Sequence, residues 1–261
     1  MHSTDFFAFR TGQATDVGRV RTVNEDSFLS RPEAGLWVVA DGMGGHAAGD
    51  FASQTIVREL FSMGVPGSAE DMQARFMERL GRANELILDH AAELNQGTIG
   101  ATVVALLVDG QDYACIWSGD SRIYRLRDGY LEQQTRDHTE VQALLDAGSI
   151  TPDEAAVWPR KNVITRAIGV ADVPECDVMG DRLRVGDKFV LCSDGLTEHL
   201  TNDDISAIVG AHDPQGACDR MIELTLERGA KDNVTVIVMQ CLPPVAETDE
   251  TEADIEVDVT E

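Results

Sequence analysis

Apolar and polar positions alternate along the chain in patterns that divide it into buried strands and amphipathic helices. Uninterrupted apolar runs predict buried strands over 36–40, 98–108, 113–118 and 234–241. Apolar residues three and four positions apart predict helices over 47–63, 69–94, 202–209 and 214–229. We expect Asn202 to cap the third helix, Pro214 to begin the fourth and Gly229 to end it.

Turn residues between the shorter apolar runs predict hairpins, because Asp-Gly and Gly-Asp pairs suit tight reversals. The strand pairs joined in this way are 123–127 with 130–134 and 182–185 with 188–192. Neighbouring hairpins indicate antiparallel sheets instead of parallel β-α-β units. Residues 148–162 differ, since they are polar with few apolar anchors, and this predicts an excursion over the surface.

Four aspartates lie where predicted strands begin or end, namely Asp41, Asp120, Asp194 and Asp232. The local sequence around Asp41 fits a cation ligand and a solvated acid in a tight turn equally well. Four carboxylates at strand ends would repel one another unless cations bind among them. The set contains no cysteine or histidine, so Mg²⁺ or Mn²⁺ fits it better than zinc. Acids that share ions, together with an arginine for an anionic group, predict metal-assisted hydrolysis of a phosphate ester.

Charge and composition exclude several classes of function. The chain has 261 residues, enough for one large domain with a tail, and a formal net charge of −25. That charge argues against nonspecific binding of nucleic acid, which depends on Lys and Arg contacts to phosphates. No apolar run is long enough to span a membrane, and the N-terminus lacks the pattern of a signal peptide. Five scattered cysteines without C-x-x-C pairs favour reduced thiols in the cytoplasm.

Basic and acidic residues meet in the segment 15–28. Arg19 and Arg21 stand close to Glu25 and Asp26, and a salt-bridged hairpin explains them as well as a phosphate site does. In the second interpretation Arg21 offers a planar fork to phosphate oxygens, and the two acids belong to a metal shell.

Eight short motifs together resemble the metal-dependent serine/threonine phosphatase family, type 2C, in its compact bacterial form. In chain order they are RTVNEDS, VVADGMGGH, GAT, SGDSRIY, DHT, NVITRAIG, LCSDGL and DNVTVIV. The resemblance implies an α+β fold, a four-layer α/β/β/α sandwich with two antiparallel β-sheets flanked by helices. It implies a phosphatase domain over residues 1–242.

The resemblance implies two core ions, Mn²⁺ or Mg²⁺. Asp41 would bridge both of them, and the carbonyl of Gly42 would join one. Asp194 and Asp232 would bind the other ion.

A further set of residues would surround these ions by the same resemblance. Glu25 would act through a water, and Asp26 would support that shell. Arg21 would hold the substrate phosphate. Asp120, together with Asp194, would hold a third ion.

The implied reaction is direct hydrolysis of phosphoserine or phosphothreonine in proteins by a metal-activated water. No phosphoenzyme is required, and Cys192 is expected in the core because it lies inside an apolar strand. Met43 stands where animal members carry a histidine proposed as the general acid. His46 is the nearest ionisable candidate, but a histidine at a helix start is often merely structural, and a metal-bound water is the expected proton donor. His138 and His90 are expected to be structural.

Residues 243–261 contain eight acids and no basic residue, which predicts a disordered tail, solubilising in preference to docking. The expected protein is a cytoplasmic monomer that acts on phosphorylated proteins, including a Ser/Thr kinase that it opposes. One rival is a non-catalytic module that sequesters phosphoproteins through Arg21, and the complete acid set counts against it. Another is a phosphatase of anti-sigma antagonists, which usually brings a sensor domain for which the chain has no spare length.

Overall fold

Two antiparallel β-sheets form the centre of the computed structural model, which describes residues 6–44, 48–94, 97–160 and 162–244. The strands are β1 (Ala8–Asp16), β2 (Asp26–Arg31), β3 (Leu36–Met43), β4 (Gly100–Ala101), β5 (Val103–Asp109), β6 (Asp112–Ser118), β7 (Arg122–Arg127), β8 (Tyr130–Gln133), β9 (Asp177–Arg182), β10 (Lys188–Cys192) and β11 (Val234–Leu242). The helices are α1 (Gly49–Phe61), α2 (Ala69–Leu94), α3 (Glu140–Asp146), α4 (Pro152–Ala156), α5 (Asp194–Thr197), α6 (Asn202–Ala211) and α7 (Pro214–Glu227).

The first sheet has the strand order β1-β11-β10-β7-β8. The second has the order β2-β3-β5-β6-β9, with β4 paired to β3. All of these pairs are antiparallel. The prediction of antiparallel sheets is therefore confirmed.

Alternate residues of each strand face opposite sides of a sheet, and this alternation builds three apolar layers. Trp37 and Val39 of β3 pack between the sheets with Phe189 of β10. Val38, between them in sequence, faces α1 and α2 on the outer side of the second sheet. Val190 faces α6 and α7 on the outer side of the first sheet. The layers thus follow the order helices, sheet, sheet, helices, as the predicted four-layer sandwich requires.

The predicted hairpin of 182–185 with 188–192 is wrong. The chain before the turn forms β9, which pairs with β6 in the second sheet, whereas β10 pairs with β7 and β11 in the first. The segment between β9 and β10 therefore crosses from one sheet to the other. Most residues of β9 are exposed, so the strand lacks the apolar alternation by which a strand is recognised in sequence.

Two smaller differences concern strand and helix ends. Thr201, not Asn202, is the N-cap of α6, and it forms a capping box with Asp204. The apolar run over 98–108 is divided at Thr102 into β4 and β5. The amide of Thr102 donates a hydrogen bond (2.8 Å) to the carbonyl of Asp41, so the interruption serves the end of β3.

One end of the sandwich collects the end of β3, the turn after β6, the junction of β10 with α5, and the start of β11. Residues 135–160 and 162–169, which include α3 and α4, lie beside this end, and we call them the flap. Neither α3 nor α4 contains a buried residue, and α4 falls within the surface excursion predicted over 148–162. Across the described ranges, no helix is long and apolar enough to cross a membrane.

Candidate metal centre

A cavity of about 370 Å³ opens at this end of the sandwich. Seven of the eight residues predicted for the site line it: Arg21, Glu25, Asp41, Gly42, Asp120, Asp194 and Asp232. The eighth, Asp26, is buried beside them on β2, directly opposite Asp41 in the strand register. Residues from distant parts of the chain thus meet as the sequence analysis expects.

Asp41 is fixed by the backbone of β3 and by Thr102. The amide of Asp41 donates to Thr102 Oγ1 (3.3 Å), and that hydroxyl is 2.7 Å from Ser121 Oγ. Burial raises the pKa of Asp41 well above its usual value, and the carboxylates of Asp26 and Asp194 raise it further. A cation would relieve both effects, because it favours the charged form of the acid.

Gly42 lies where three backbone segments meet. A Cβ at this position would stand 2.0 Å from the carbonyl oxygen of Gly49 and 2.7 Å from that of Glu25. Any side chain would therefore displace the start of α1 or the strand edge beside it. The amide of Gly42 donates to the Glu25 carbonyl (3.1 Å), and the amide of Gly49 holds the Glu25 carboxylate. The glycine thus brings Glu25 into the cavity wall.

Asp26 supplies a buried carboxylate with one oxygen held and the other unpaired. Ser193 Oγ donates to Asp26 Oδ2 (2.8 Å), and the amide of Thr235 donates to Ser193 Oγ (3.0 Å). Oδ1 of Asp26 is buried and accepts no hydrogen bond from the described residues. Burial raises the pKa of Asp26 to about 6. A buried oxygen without a donor suits a neighbouring water or cation.

Asp120 follows a turn that only glycine can make. Gly119 has φ +109°, and a Cβ there would lie 2.6 Å from Cβ of Thr102. The amide of Gly119 donates to His138 Nδ1 (3.2 Å), and the amide of His138 donates to the Gly119 carbonyl (2.9 Å). Burial raises the pKa of Asp120 to about 6, with a further contribution from Asp137. His138 is therefore structural, as predicted, and it clamps the turn that presents Asp120.

Asp194 opens α5 at the end of β10. Burial raises its pKa to about 8, and the carboxylates of Asp120, Glu198 and Asp232 add to the effect. These four neighbouring carboxylates are costly to keep charged together without a cation.

Arg21 reaches Asp232 across the rim of the cavity. Its Nη2 donates to Asp232 Oδ2 at 2.7 Å, and 49% of the Arg21 side chain remains exposed. Asn233, next in the chain, donates to the carbonyls of Val17 and Val23 and accepts from the Glu25 amide (2.8 Å). This one amide side chain therefore ties the Arg21 loop to the start of β11.

The carboxylates and the Gly42 carbonyl are oxygen ligands of the kind that hard divalent cations prefer, but the carboxylates stand apart from one another. No three His, Cys, Asp or Glu side chains of the described ranges converge closely enough to hold one ion in this conformation. Asp41, Asp194 and Asp232 share the cavity without meeting at a point, and Asp232 is engaged by Arg21. Mg²⁺ needs only one or two carboxylates beside its waters. The clustered carboxylates, their raised pKa values and the unpaired Asp26 oxygen together favour such ions.

The scaffold of the site is what the sequence analysis missed. Thr102, Ser121, Ser193 and Asn233 hold the predicted ligands but received no role from sequence. Their only signal in the sequence is that all four lie within the motifs, Thr102 in GAT, Ser121 in SGDSRIY, Ser193 in LCSDGL and Asn233 in DNVTVIV.

Candidates for acid or nucleophile are few. Cys192 is fully buried, and burial raises the pKa of its thiol to about 12, so it belongs to the core as predicted. Met43 lines the cavity. His90 stacks on Phe51 at 3.8 Å, away from the site. His46 lies outside the described residues, as does the predicted tail from residue 245 onward.

Comparisons with a family model and with curated proteins both match protein phosphatases. The family model described as protein phosphatase 2C matches residues 18–233. The chain is 38% identical over 230 residues to the serine/threonine protein phosphatase PstP of Mycobacterium tuberculosis. That match covers 88% of this chain and 44% of the relative, so the chain spans less than half of the relative's length.

Two solved structures are similar over nearly their whole length. PppA, described as a key regulatory component of T6SS in Pseudomonas aeruginosa, has a TM-score of 0.85 and 40% identity, with 91% of this chain and 99% of that one covered. The catalytic domain of PstP in complex with two manganese ions has a TM-score of 0.82 and 36% identity, with 90% and 99% covered.

Proposed function

Because this chain belongs to the protein phosphatase 2C family, we propose that it removes phosphate from phosphoserine and phosphothreonine residues of proteins. The observation that carries the proposal is the single cavity in which Arg21 stands at the rim of a ring of carboxylates. A guanidinium beside clustered acids suits an anionic substrate held against cations.

The ions in this proposal are Mn²⁺ or Mg²⁺, as the two manganese ions of the PstP structure support. Asp41, the Gly42 carbonyl, Asp194 and Asp232 would hold two core ions, with Glu25 acting through a water. Bound ions supply Lewis acidity toward the phosphate ester and lower the pKa of a coordinated water.

Asp120 and Asp194 would hold a third ion, since both line the cavity on the side of the flap. Asp26 would steady the core set from behind. Ser193 fixes one of its oxygens and leaves the other able to accept a hydrogen bond.

Arg21 would bind the phosphate through two donors of its planar guanidinium and offset charge that develops during hydrolysis. To do so it must turn away from Asp232, and its half-exposed side chain has the freedom for that movement. The described residues that line the cavity include no histidine, cysteine or lysine. We propose that the departing serine or threonine oxygen takes its proton from a water, as the family resemblance leads us to expect.

The physiological substrate in this proposal is a protein phosphorylated by a Ser/Thr kinase in the cytoplasm, and the phosphatase acts as a monomer that opposes that kinase. The name of PstP, a serine/threonine protein phosphatase, supports protein dephosphorylation, and the description of PppA as a key regulatory component supports a role in regulation. Phosphoproteomics of a strain that lacks this chain tests the proposal, because the substrate gains phosphate at specific serines or threonines.

The experiment that tests the reaction compares divalent ions on an aryl phosphate. The purified protein should hydrolyse it with Mn²⁺ or Mg²⁺, lose activity in excess chelator, and lose activity in soluble Asp194→Ala. Asp109→Asn is the matched control, because Asp109 ends β5 at the opposite end of the sandwich.

Full activity in excess chelator would contradict the metal mechanism. Inactivity with every divalent ion, together with retained binding of phosphopeptides, would favour the non-catalytic module that sequesters phosphoproteins through Arg21.

A further inference from the structure

A second cavity of about 270 Å³ adjoins the metal centre beneath the flap. Asp120, Asn162 and Asp194 line both cavities, so the two share a border. A phosphorylated residue held at the metal centre would therefore have its chain neighbours beside the second cavity. The residues that line the second cavity therefore help to determine which substrate side chains can bind next to the phosphorylated residue.

One wall of the second cavity is apolar. Val141 and Leu145 of α3 contribute to it, together with Ala155 and Ala156 of α4. This wall suits the methylene stem of a long side chain, which buries well along apolar surface while its polar end remains elsewhere.

The opposite wall carries charge, and two of its five charged residues, Arg122 and Asp137, pair with each other. Two others, Asp120 and Asp194, are the acids proposed to hold ions. Arg122 donates to Asp137 through Nε (2.9 Å) and Nη2 (2.6 Å), so each neutralises the other. Glu198 on the same wall has no cationic partner among the described residues. Its Oε1 accepts a hydrogen bond from Asn162 Nδ2 (2.5 Å), which holds the carboxylate at the border between the two cavities.

We propose that the second cavity is a subsite for an arginine or lysine that flanks the phosphorylated residue of the substrate, with Glu198 as the partner of its cationic head. The inference rests on the proposed phosphatase function and deepens it. An apolar wall for the stem and a carboxylate without a cationic partner among the described residues match these two side chains. The formal net charge of −25 also favours the approach of peptides that carry arginine or lysine.

Glu198 also adds to the negative potential at the metal centre, because its charge raises the pKa of both Asp120 and Asp194. A substrate cation beside Glu198 would reduce that potential where the phosphate must enter. The flanking cation therefore assists the approach of an anionic group to an acidic site.

The test uses pairs of phosphothreonine peptides that differ only in arginine against citrulline, its neutral isostere. The pair is walked through four positions on each side of the phosphothreonine, and kcat/KM is measured with Mn²⁺. At one position the wild type should prefer arginine by about three- to tenfold, as a partly exposed, charge-assisted contact allows. The preference should shrink as salt is added.

Three variants sharpen the assignment. Glu198→Gln should bring the arginine-to-citrulline ratio close to one, and Glu198→Lys should bring it below one. Glu85→Gln, an exposed change of equal charge on α2, should keep the wild-type ratio. Leu145→Ser should weaken both peptides of the pair equally, because the stem contact does not depend on charge.

Two outcomes with the Glu198→Gln variant would overturn the subsite. One is an arginine preference that Glu198→Gln leaves unchanged. The other is loss of Mn²⁺ binding in Glu198→Gln by calorimetry, which would assign Glu198 to the ions. Fluorescence anisotropy of the same peptides keeps the two proposals separate. Failure of the wild type to hydrolyse any of the peptides contradicts the phosphatase function, whereas equal binding of arginine and citrulline peptides contradicts the subsite alone.

Discussion

The strand ends that carry the carboxylates and the flap beside them are built in opposite ways. Asp41 follows five strand residues with no exposed surface, and Asp194 follows Ser193 and a β10 whose last residues are equally buried. The flap helices α3 and α4 contain no buried residue and depend on caps, such as the capping box of Thr151 with Glu154. Tight packing thus fixes the groups that would do chemistry, while the groups that would meet the substrate lie on a segment with little core of its own.

The largest expected effect comes from the rigid region. Asp41→Ala should lower turnover of an aryl phosphate by about 10³-fold or more, because it removes the carboxylate proposed to bridge both core ions. In chelator its melting temperature should not fall, since an acid among like charges has been removed.

Activity measured with Mn²⁺ and thermal unfolding measured with chelator check both parts of this prediction. Asp109→Ala, at the far end of β5, serves as the control and should keep its activity. A soluble Asp41→Ala with more than a tenth of the wild-type activity would remove Asp41 from the centre of the site.

Asp120 tests the border between the two regions. Its carboxylate lines both cavities, and only one ion is assigned to it. Asp120→Ala should lower turnover by about 10- to 100-fold, the range of residues just outside a primary ligand set, and should keep two bound Mn²⁺. Calorimetry and a metal-soaked crystal count the ions. Loss of every ion from this variant would show that Asp120 belongs to the core pair.

The sequence anticipated the rigid region better than the flap, and for a physical reason. A buried strand that ends in Asp-Gly leaves an apolar run and a turn signal in adjacent residues, so the position of Asp41 was visible. The contacts that orient the ligands are long-range. Ser193 and Asp26 are separated by 167 positions, and no local pattern marks their pairing.

Two predictions that the structure corrects concern β9 and the N-cap of α6. β9 lies at the edge of the second sheet with mostly exposed residues, so it has no apolar period, and the sequence predicts a hairpin there instead. Thr201 and Asn202 are both good caps, and only the bond from the Asp204 amide to Thr201 Oγ1 (3.2 Å) decides between them. The role of each ligand came from the family resemblance and not from spacing.

A smaller effect concerns the stability of the ion-free protein. The pKa values of Asp26 and Asp120 are about 6 and that of Asp194 is about 8, above the usual value of about 3.9 in an unfolded chain. The folded state therefore binds more protons than the unfolded state between these limits. Its unfolding free energy falls as the pH rises through the folded pKa values, and it is highest, for these groups, below about pH 4.

In chelator the melting temperature should therefore drop by about 3–8 °C between pH 5.5 and pH 8, with a smaller drop when Mn²⁺ is bound. Differential scanning calorimetry across that range measures it, and Asp194→Asn should flatten the upper part of the curve. A melting temperature that rises with pH in chelator would mean that the pKa values of these three acids, taken together, are not raised by folding.

The smallest expected effect belongs to His46, near the Gly-rich end of β3. Met43 cannot donate a proton, and a histidine with an ordinary pKa of about 6.5 could do so near neutral pH. A general acid contributes about 10²–10⁴-fold, but only where the leaving group needs a proton. We expect His46→Ala to change turnover of a phosphoserine peptide by less than about threefold, because a water is proposed as the donor. An aryl phosphate, whose leaving group needs little protonation, is the matched substrate. A loss of about a hundredfold or more on the peptide alone would instead make His46 the general acid.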